Sequence, residues 1–278
     1  MMPNLSTRLL LGAYGVIVCV FMIAPMLVLL PLSLTETRYL QWPPVGFSTQ
    51  WYEAVLTDSV WRDRVVASLQ VGIGSAALAT VLGLLAALGI VRGRFPGKRI
   101  ALALLLSPLV VPTVVTAIGM FFVWAVGWSI GPIQFGGGLV GTVPGLILAH
   151  AVLNLPFPII MTMTALGTVD RNLERAASIM GASPVAVFWR VTVPLIQTGI
   201  LFGFVFAFLG SWDEYIVASF LTSAQVTTVP VGLFSSVKGS NDPSGAAVSM
   251  LLLVVSSLVL GLMLIRGRQQ LLGESAQR

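Results

Sequence analysis

Residues 167–195 read "GTVDRNLERAASIMGASPVAVFWRVTVPL" and separate two apolar runs, at about 142–166 and 196–221. Joining two helices usually takes only a handful of residues, so this connection is longer than a connection needs to be. Its local chemistry says what the surplus forms. "NLERAASIM" offers Asn172 as a cap, helix formers after it, and Gly181 where a left-handed stop belongs. "SPVAVFWRVTV" restarts with Ser183 as a cap and Pro184 at the first helical position. Val185, Val187, Phe188 and Val191 run along one side of this second piece, and Pro194 ends it. The segment predicts helix, tight turn, helix. A helical pair with an apolar side suits docking to another protein and also suits packing on its own bundle, and the pattern leaves both open.

The flanking runs belong to a set. The chain has 278 residues, 56% of them hydrophobic and 9% charged, against about 25% charged in soluble domains. No water-soluble surface can be assembled from that composition, so the chain is an integral membrane protein. A helix needs about 20 apolar residues to cross a hydrocarbon core of roughly 30 Å. Six runs qualify, at about 9–32, 65–91, 100–126, 142–166, 196–221 and 245–265. The first is too long for the apolar core of a secretory signal and is followed by no small-residue cleavage site, so it reads as an anchor.

Lysine and arginine set the direction. With the N-terminus inside, eleven of the fifteen fall on inner segments: Arg8, then Arg92, Arg94, Lys98 and Arg99, then Arg171, Arg175 and Arg190, then Arg266, Arg268 and Arg278. Arg38, Arg62, Arg64 and Lys238 fall outside. The excess predicts cytoplasmic N- and C-termini by the positive-inside rule and places residues 167–195 in the cytoplasm. It also explains the net charge of +5 without nucleic acid. The outer loop 33–64 contains "FSTQWYEAVLTDSVWRDRVV", patterned as a short helix at the lipid interface. The loop 127–141 is Gly-rich and uncharged, and 222–244 is polar and holds "GSNDPSG". No internal repeat is evident, which argues against an inverted-repeat carrier. One cysteine, Cys19, and one histidine, His150, leave no disulfide framework and no zinc or calcium pattern.

The 167–195 segment resembles the EAA loop of the membrane subunits of ATP-binding-cassette importers. Two alanines precede a glycine by a fixed interval, here Ala176, Ala177 and Gly181, and an I-x-L-P follows, here Val191, Thr192, Val193 and Pro194. The position before the alanines is Arg175, where that family usually has an acid, with Glu174 beside it. "ASLQVGIGSAALATVLGLLAALGIVR", "LLLSPLVVPTVVTAIGM", "SWDEYIVASFLT" and "TTVPVGLFSSVKGSNDPSGAAVSMLLL" resemble the polyamine-type (spermidine and putrescine) branch.

The resemblance implies an all-α membrane protein of six transmembrane helices. It would have the type I importer permease fold in one permease domain over 1–278, in the bacterial inner membrane and in contact with lipid. It implies a coupling loop in which Glu174, Ala176, Ala177, Gly181, Ala182, Ser183 and Pro184 meet a cytoplasmic ATPase. The implied partners are a second permease, usually a different chain, two ATPase copies and an extracytoplasmic solute-binding protein. ATP and magnesium would be bound by the ATPase, with no cofactor on this chain. In keeping with that, no G-x-x-x-x-G-K-[ST] is present; "GRFPGK" at 93–98 has the wrong spacing.

Two acids remain. Of ten Asp and Glu, only Asp213 and Glu214 fall within the predicted spans. A charge at mid-membrane costs roughly 2.5–3.5 kcal/mol on insertion scales. Asp213 lies about 26 Å along its span from the cytoplasm, and His150 roughly 12 Å below the outer surface, at 1.5 Å per residue. Those depths match, and Asn154 shares a helical face with His150. Pro156 and Pro158 free backbone carbonyls nearby, and the third span has its own break at Pro108 and Pro112. These residues predict an outer polar chamber of Asp213 or Glu214 with His150 and Asn154. Trp212 and Tyr215 stand ready to hold an ammonium by cation–π contact, so a small cationic solute fits. The same residues also suit structural roles: Asp213 hydrogen-bonded to Ser211, Glu214 at a subunit contact, His150 packed, the aromatics as interface anchors. A proton-coupled carrier using the acids and His150 as a relay is an alternative. A membrane enzyme lacks any nucleophile–base set or metal cluster. Neither rival accounts for the Ala–Gly loop.

Overall fold

The structure of the protein is a computed structural model that describes residues 5–130, 133–240 and 242–275. Arg278, residues 131–132 of the Gly-rich loop and Asn241 of "GSNDPSG" lie outside them. In chain order the elements are α1 (Leu5–Ser33), α2 (Gln50–Thr57), α3 (Ser59–Arg92), α4 (Lys98–Leu106) with a 3₁₀ turn at Ser107–Leu109, and α5 (Thr113–Val126). A hairpin of β1 (Trp128–Ile130) and β2 (Ile133–Phe135) follows. Then come α6 (Val143–Asn154), α7 (Pro156–Thr168), α8 (Arg171–Ile179), α9 (Pro184–Val187) and a π segment at Phe188–Thr192. The chain ends with α10 (Val193–Trp212), α11 (Ile216–Leu221), α12 (Val229–Ser240) and α13 (Ser244–Ser275).

Among the described residues, Leu10–Ser33, Ser59–Arg92, Pro184–Trp212 and Ser244–Met263 are each long and apolar enough to cross a membrane. Two bent pairs bring the total up to six: Lys98–Leu109 with Thr113–Val126, and Val143–Asn154 with Pro156–Thr168. These are the third and fourth spans of the sequence, and neither is straight. Pro112 caps α5 and Pro156 opens α7. At these points a proline ring cannot continue the preceding helix, and the axes turn by 99° and 46°. The Gly-rich loop is also more ordered than its composition suggests. It pairs antiparallel in the register Trp128↔Phe135, Ser129↔Gln134, Ile130↔Ile133.

The chain divides into two compact units, Met1–Arg62 with Leu233–Val255, and Asp63–Gly232 with Ser256–Arg278. In the first, α2 is the short helix expected in the 33–64 loop. It is fastened to the end of α1: Trp51 Nε1 donates to the Thr35 carbonyl at 2.8 Å, and the Ser33 and Tyr52 hydroxyls lie 2.7 Å apart.

The second unit holds the candidate site, and small residues build it. Helices in lipid gain little by hiding apolar surface, so they associate where small side chains let backbones approach closely. On α10, Gly199, Gly203 and Gly210 recur at intervals of four and seven and share one face. A Cβ on Gly203 would stand 2.7 Å from Pro158 Cα, and one on Gly199 would stand 2.8 Å from the Met161 carbonyl oxygen. On α3, a Cβ on Gly83 would meet Pro158 Cβ at 2.7 Å. The start of α7 is thus held between two glycine-faced helices. A second cluster joins Val71 of α3, Ala117 and Met120 of α5, Leu146 and Ala149 of α6, and Val217, Ala218 and Leu221 of α11.

Gly203→Val forces a branched side chain into the α7 backbone and should cost about 1–3 kcal/mol by overpacking. Gly119→Ala, at a position with open space around it, should stay within about 0.5 kcal/mol. Thermal unfolding of the purified chain in detergent distinguishes them.

Candidate functional site

The predicted loop forms as helix, turn, helix, with two adjustments. Asp170, not Asn172, caps α8: its carboxylate accepts from the Asn172 amide at 2.9 Å. Asn172 is already inside the helix, and an acid just ahead of the first turn reaches the N–H two residues on. Gly181 sits at φ +89° and turns the chain. Ser183 then caps α9 through the Ala186 amide at 3.3 Å, with Pro184 first in the helix. Pro194 does not end this piece. The π segment Phe188–Thr192 leads directly into α10, where Pro194 occupies the first turn. Across the wider turn the Val193 amide donates to the Phe188 carbonyl.

α8 is sided. Ala177 is buried and Glu174 half-buried, while Arg171, Asn172, Leu173, Arg175, Ala176, Ser178 and Ile179 are exposed. Beyond it Ile179 is 86% and Met180 81% exposed, and Val185 and Trp189 are open too. Of the four apolar residues expected to share a side, Val187 is buried and Phe188 and Val191 half-buried, but Val185 turns outward. Gly181, Ser183 and Pro184 are exposed and Ala182 half-buried. The inward side is polar. Glu174 Oε2 pairs with Arg92, the last residue of α3, and Glu174 Oε1 accepts from the Thr192 hydroxyl at 2.6 Å. Arg171 donates to the Val91 carbonyl at 3.0 Å, where α3 leaves carbonyls unpaired. An open cleft of about 700 Å³ borders these contacts, lined by Leu88, Arg92, Glu174, Val187 and Phe188 among others. Nothing in the sequence pairs Arg92 or Thr192 with Glu174. The displaced acid beside Arg175 is the one hint.

The span expected at 196–221 is broken at the acids. α10 ends at Trp212, residues 213–215 leave the helix, and α11 restarts at Ile216. The cause is Glu214, whose Oε1 and Oε2 accept from the Val217 and Ala218 amides, both at 2.8 Å. A carboxylate that satisfies the first free N–H groups of the next helix favours a restart over continuation. Glu214 is buried, 8% exposed, whereas Asp213 is exposed.

Of the two residues on this face of α6, His150 reaches Glu214 and Asn154 does not. His150, fully buried, contacts the Ser211 hydroxyl through Nδ1 at 2.7 Å, and its Nε2 lies 3.6 Å from Glu214 Oε2. Asn154 donates to the His150 carbonyl at 2.9 Å. A Cβ on Gly210 would collide with Asn154 Oδ1, so the glycine makes room for the amide. Ser211, His150 and Glu214 therefore lie together in one buried cluster, with Asn154 bonded to the His150 backbone. Ser211 belongs to it through His150 and not through Asp213. Trp212 is buried, stacked on Phe208 with ring centroids 5.8 Å apart, and Tyr215 is half-buried.

Bent spans, close glycine contacts and a sided polar loop describe a multi-span membrane helical bundle. Residues 79–270 match the family model described as "Binding-protein-dependent transport system inner membrane component", and the chain belongs to that family. It is therefore a multi-pass inner-membrane protein. It is 32% identical over 246 residues to the "Putrescine transport system permease protein PotI" of Escherichia coli (strain K12), covering 86% of this chain and 84% of that one. It is 28% identical over 254 residues to the "Spermidine/putrescine transport system permease protein PotC" of Haemophilus influenzae, covering 91% and 94%. Among solved structures, a bacterial alginate ABC transporter in complex with its pentasaccharide-bound periplasmic protein aligns with TM-score 0.72, 15% identity and 92% of both chains. The MetNI methionine ABC transporter aligns with TM-score 0.57, 18% identity, and 78% and 97% of the chains. The fold is that of an importer permease. Its relatives are transport subunits, which sets aside the enzyme and favours the ATP-driven importer over the proton-coupled carrier.

Glu214→Gln replaces one amide-binding oxygen with a donor. Hydrogen exchange at Val217 and Ala218 should accelerate about tenfold or more, as expected when a buried charge-assisted bond is lost. Asp213→Asn should leave those amides unchanged.

Proposed function

We propose that this chain is one of two permeases in an ATP-driven importer for a small organic cation of the polyamine class, with a different permease as its partner. Its 167–195 loop docks on one of the two copies of a cytoplasmic ATPase, and an extracytoplasmic binding protein delivers the solute. The basic residues support an orientation with both termini in the cytoplasm. The reading rests chiefly on α8, a loop helix with one polar side turned inward. Its other side, continued through Ile179 and Met180, offers apolar residues to a neighbour. Apolar side chains exposed on a loop of this kind mark a docking surface. The relatives' names support the solute class.

The path for the solute runs past Asp213 and Tyr215, behind which Trp212, His150, Asn154 and Glu214 hold the helix break. An exposed acid beside aromatic rings suits an ammonium group, whereas Glu214 spends its charge on the backbone of α11. ATP-driven closure of the ATPase pair moves the loop, and the loop moves α10, of which the acids are the far end.

Ile179→Asp with Met180→Asp should abolish co-purification of the ATPase, since central apolar anchors carry about 2 kcal/mol or more each, without changing the melting temperature of the isolated chain. For the path, uptake of labelled putrescine or spermidine is measured in proteoliposomes holding the complete transporter. It should require ATP, survive an ionophore that collapses the proton gradient, and fall about tenfold in Asp213→Asn, the size of one lost charge-assisted contact. Full uptake in both Asp213→Asn and Glu214→Gln would remove the acids from the path.

A further inference from the structure

Glu174 is a half-buried acid on a helix whose other charged residues, Arg171 and Arg175, are exposed. Ala177, one turn on, shares its side and is the buried residue of α8. The carboxylate therefore faces the bundle, along a cleft whose rim Ile179 shares, while Leu173, Ile179 and Met180 are exposed to a neighbour. Its two oxygens are divided between two long helices. Oε2 pairs with Arg92 at the end of α3, and Oε1 accepts a hydrogen bond at 2.6 Å from the hydroxyl of Thr192, the residue directly before α10. These partners lie 82 and 18 residues away in sequence. Thr192 is 3% exposed, and the Arg92 and Glu174 side chains are 25% and 14% exposed. A pair so shielded from solvent escapes most of the screening that makes surface ion pairs weak. Arg171 adds a second fastening to α3 through the Val91 carbonyl.

We propose that Glu174 is the positioning residue of energy coupling: one carboxylate that ties α8 to α3 and α10 together, so that displacement of α8 reaches both helices at once. This rests on the reading of α8 as the ATPase-docking helix. It assigns Glu174 to the bundle and leaves the ATPase contact to the exposed residues. Without the tie, α8 follows the ATPase while α3 and α10 lag behind, and ATP is hydrolysed without transport.

The test uses the complete transporter in proteoliposomes, with putrescine or spermidine uptake and ATP hydrolysis measured side by side. Arg92→Glu and Glu174→Arg should each lower uptake about tenfold while ATPase co-purification and hydrolysis persist, and the double variant, with the charges exchanged, should recover to within about threefold of wild type. Thr192→Ser should transport normally and Thr192→Val poorly. A merely structural role would lower assembly and ATP hydrolysis together with uptake, whereas loss of the tie lowers uptake alone. The proposal is overturned if the double variant is no better than the singles, if the singles transport normally, or if either single loses the ATPase, which would put Glu174 in the docking surface itself. Crosslinking from Ile179→Cys to the ATPase separates the two readings. A crosslink without charge-exchange rescue sinks the tie alone; no crosslink in an otherwise wild-type chain sinks the docking reading beneath it.

Discussion

Lipid tails are as apolar as leucine, so helices in a bilayer are not driven together by the exclusion of water, and only close approach holds them. In this chain the approach depends on hydrogen atoms standing where side chains would be. Gly199 and Gly203 let α10 press onto the backbone of α7, and Gly83 lets α3 press onto the same proline from its own side. The polar network inherits that geometry. Two turns beyond Gly203, Gly210 leaves space for Asn154 Oδ1, and Ser211 reaches His150. A glycine strip that sets helix spacing also decides which polar groups can meet.

Adjacent in sequence, Asp213 and Glu214 have different fates. Glu214 is buried and meets the cost of desolvation with two backbone N–H groups. Asp213 stays exposed. A helix continuing through 213 and 214 would have pointed them about 100° apart and left both side chains without those amides. Breaking the helix is what allows one acid to be satisfied and the other to remain available.

Features governed by local rules were readable from the sequence. The long spans, the left-handed Gly181, the Ser183 cap and Pro184 follow from hydropathy, backbone sterics and terminal hydrogen bonds. Such rules act within a few residues, and the positions that departed from expectation show their limits. Asn172 and Asp170 are both good caps, and only the true helix start decides between them. Pro194 ordinarily ends a helix, but a π turn ahead of it relieves the clash. The break at 213–215 required knowing that Glu214 would turn back to the amides of Val217 and Ala218. The Arg92–Glu174 pair spans 82 residues, and no periodicity reports a partner at that distance. His150 with Asn154 was legible as a shared helical face, but the approach of His150 to Glu214 depended on packing.

The continuity of the helix across Pro194 has a mechanical meaning. Pro184–Trp212 runs 29 residues without a sharp bend, about 43 Å at the α-helical rise, against a hydrocarbon slab of roughly 30 Å. A stiff rod longer than the slab that grips it behaves as a see-saw. Gripped at the glycine contacts near its middle, it returns a sideways push on one tip as an opposite swing of the other. A swivel at residue 194 would have absorbed that stroke.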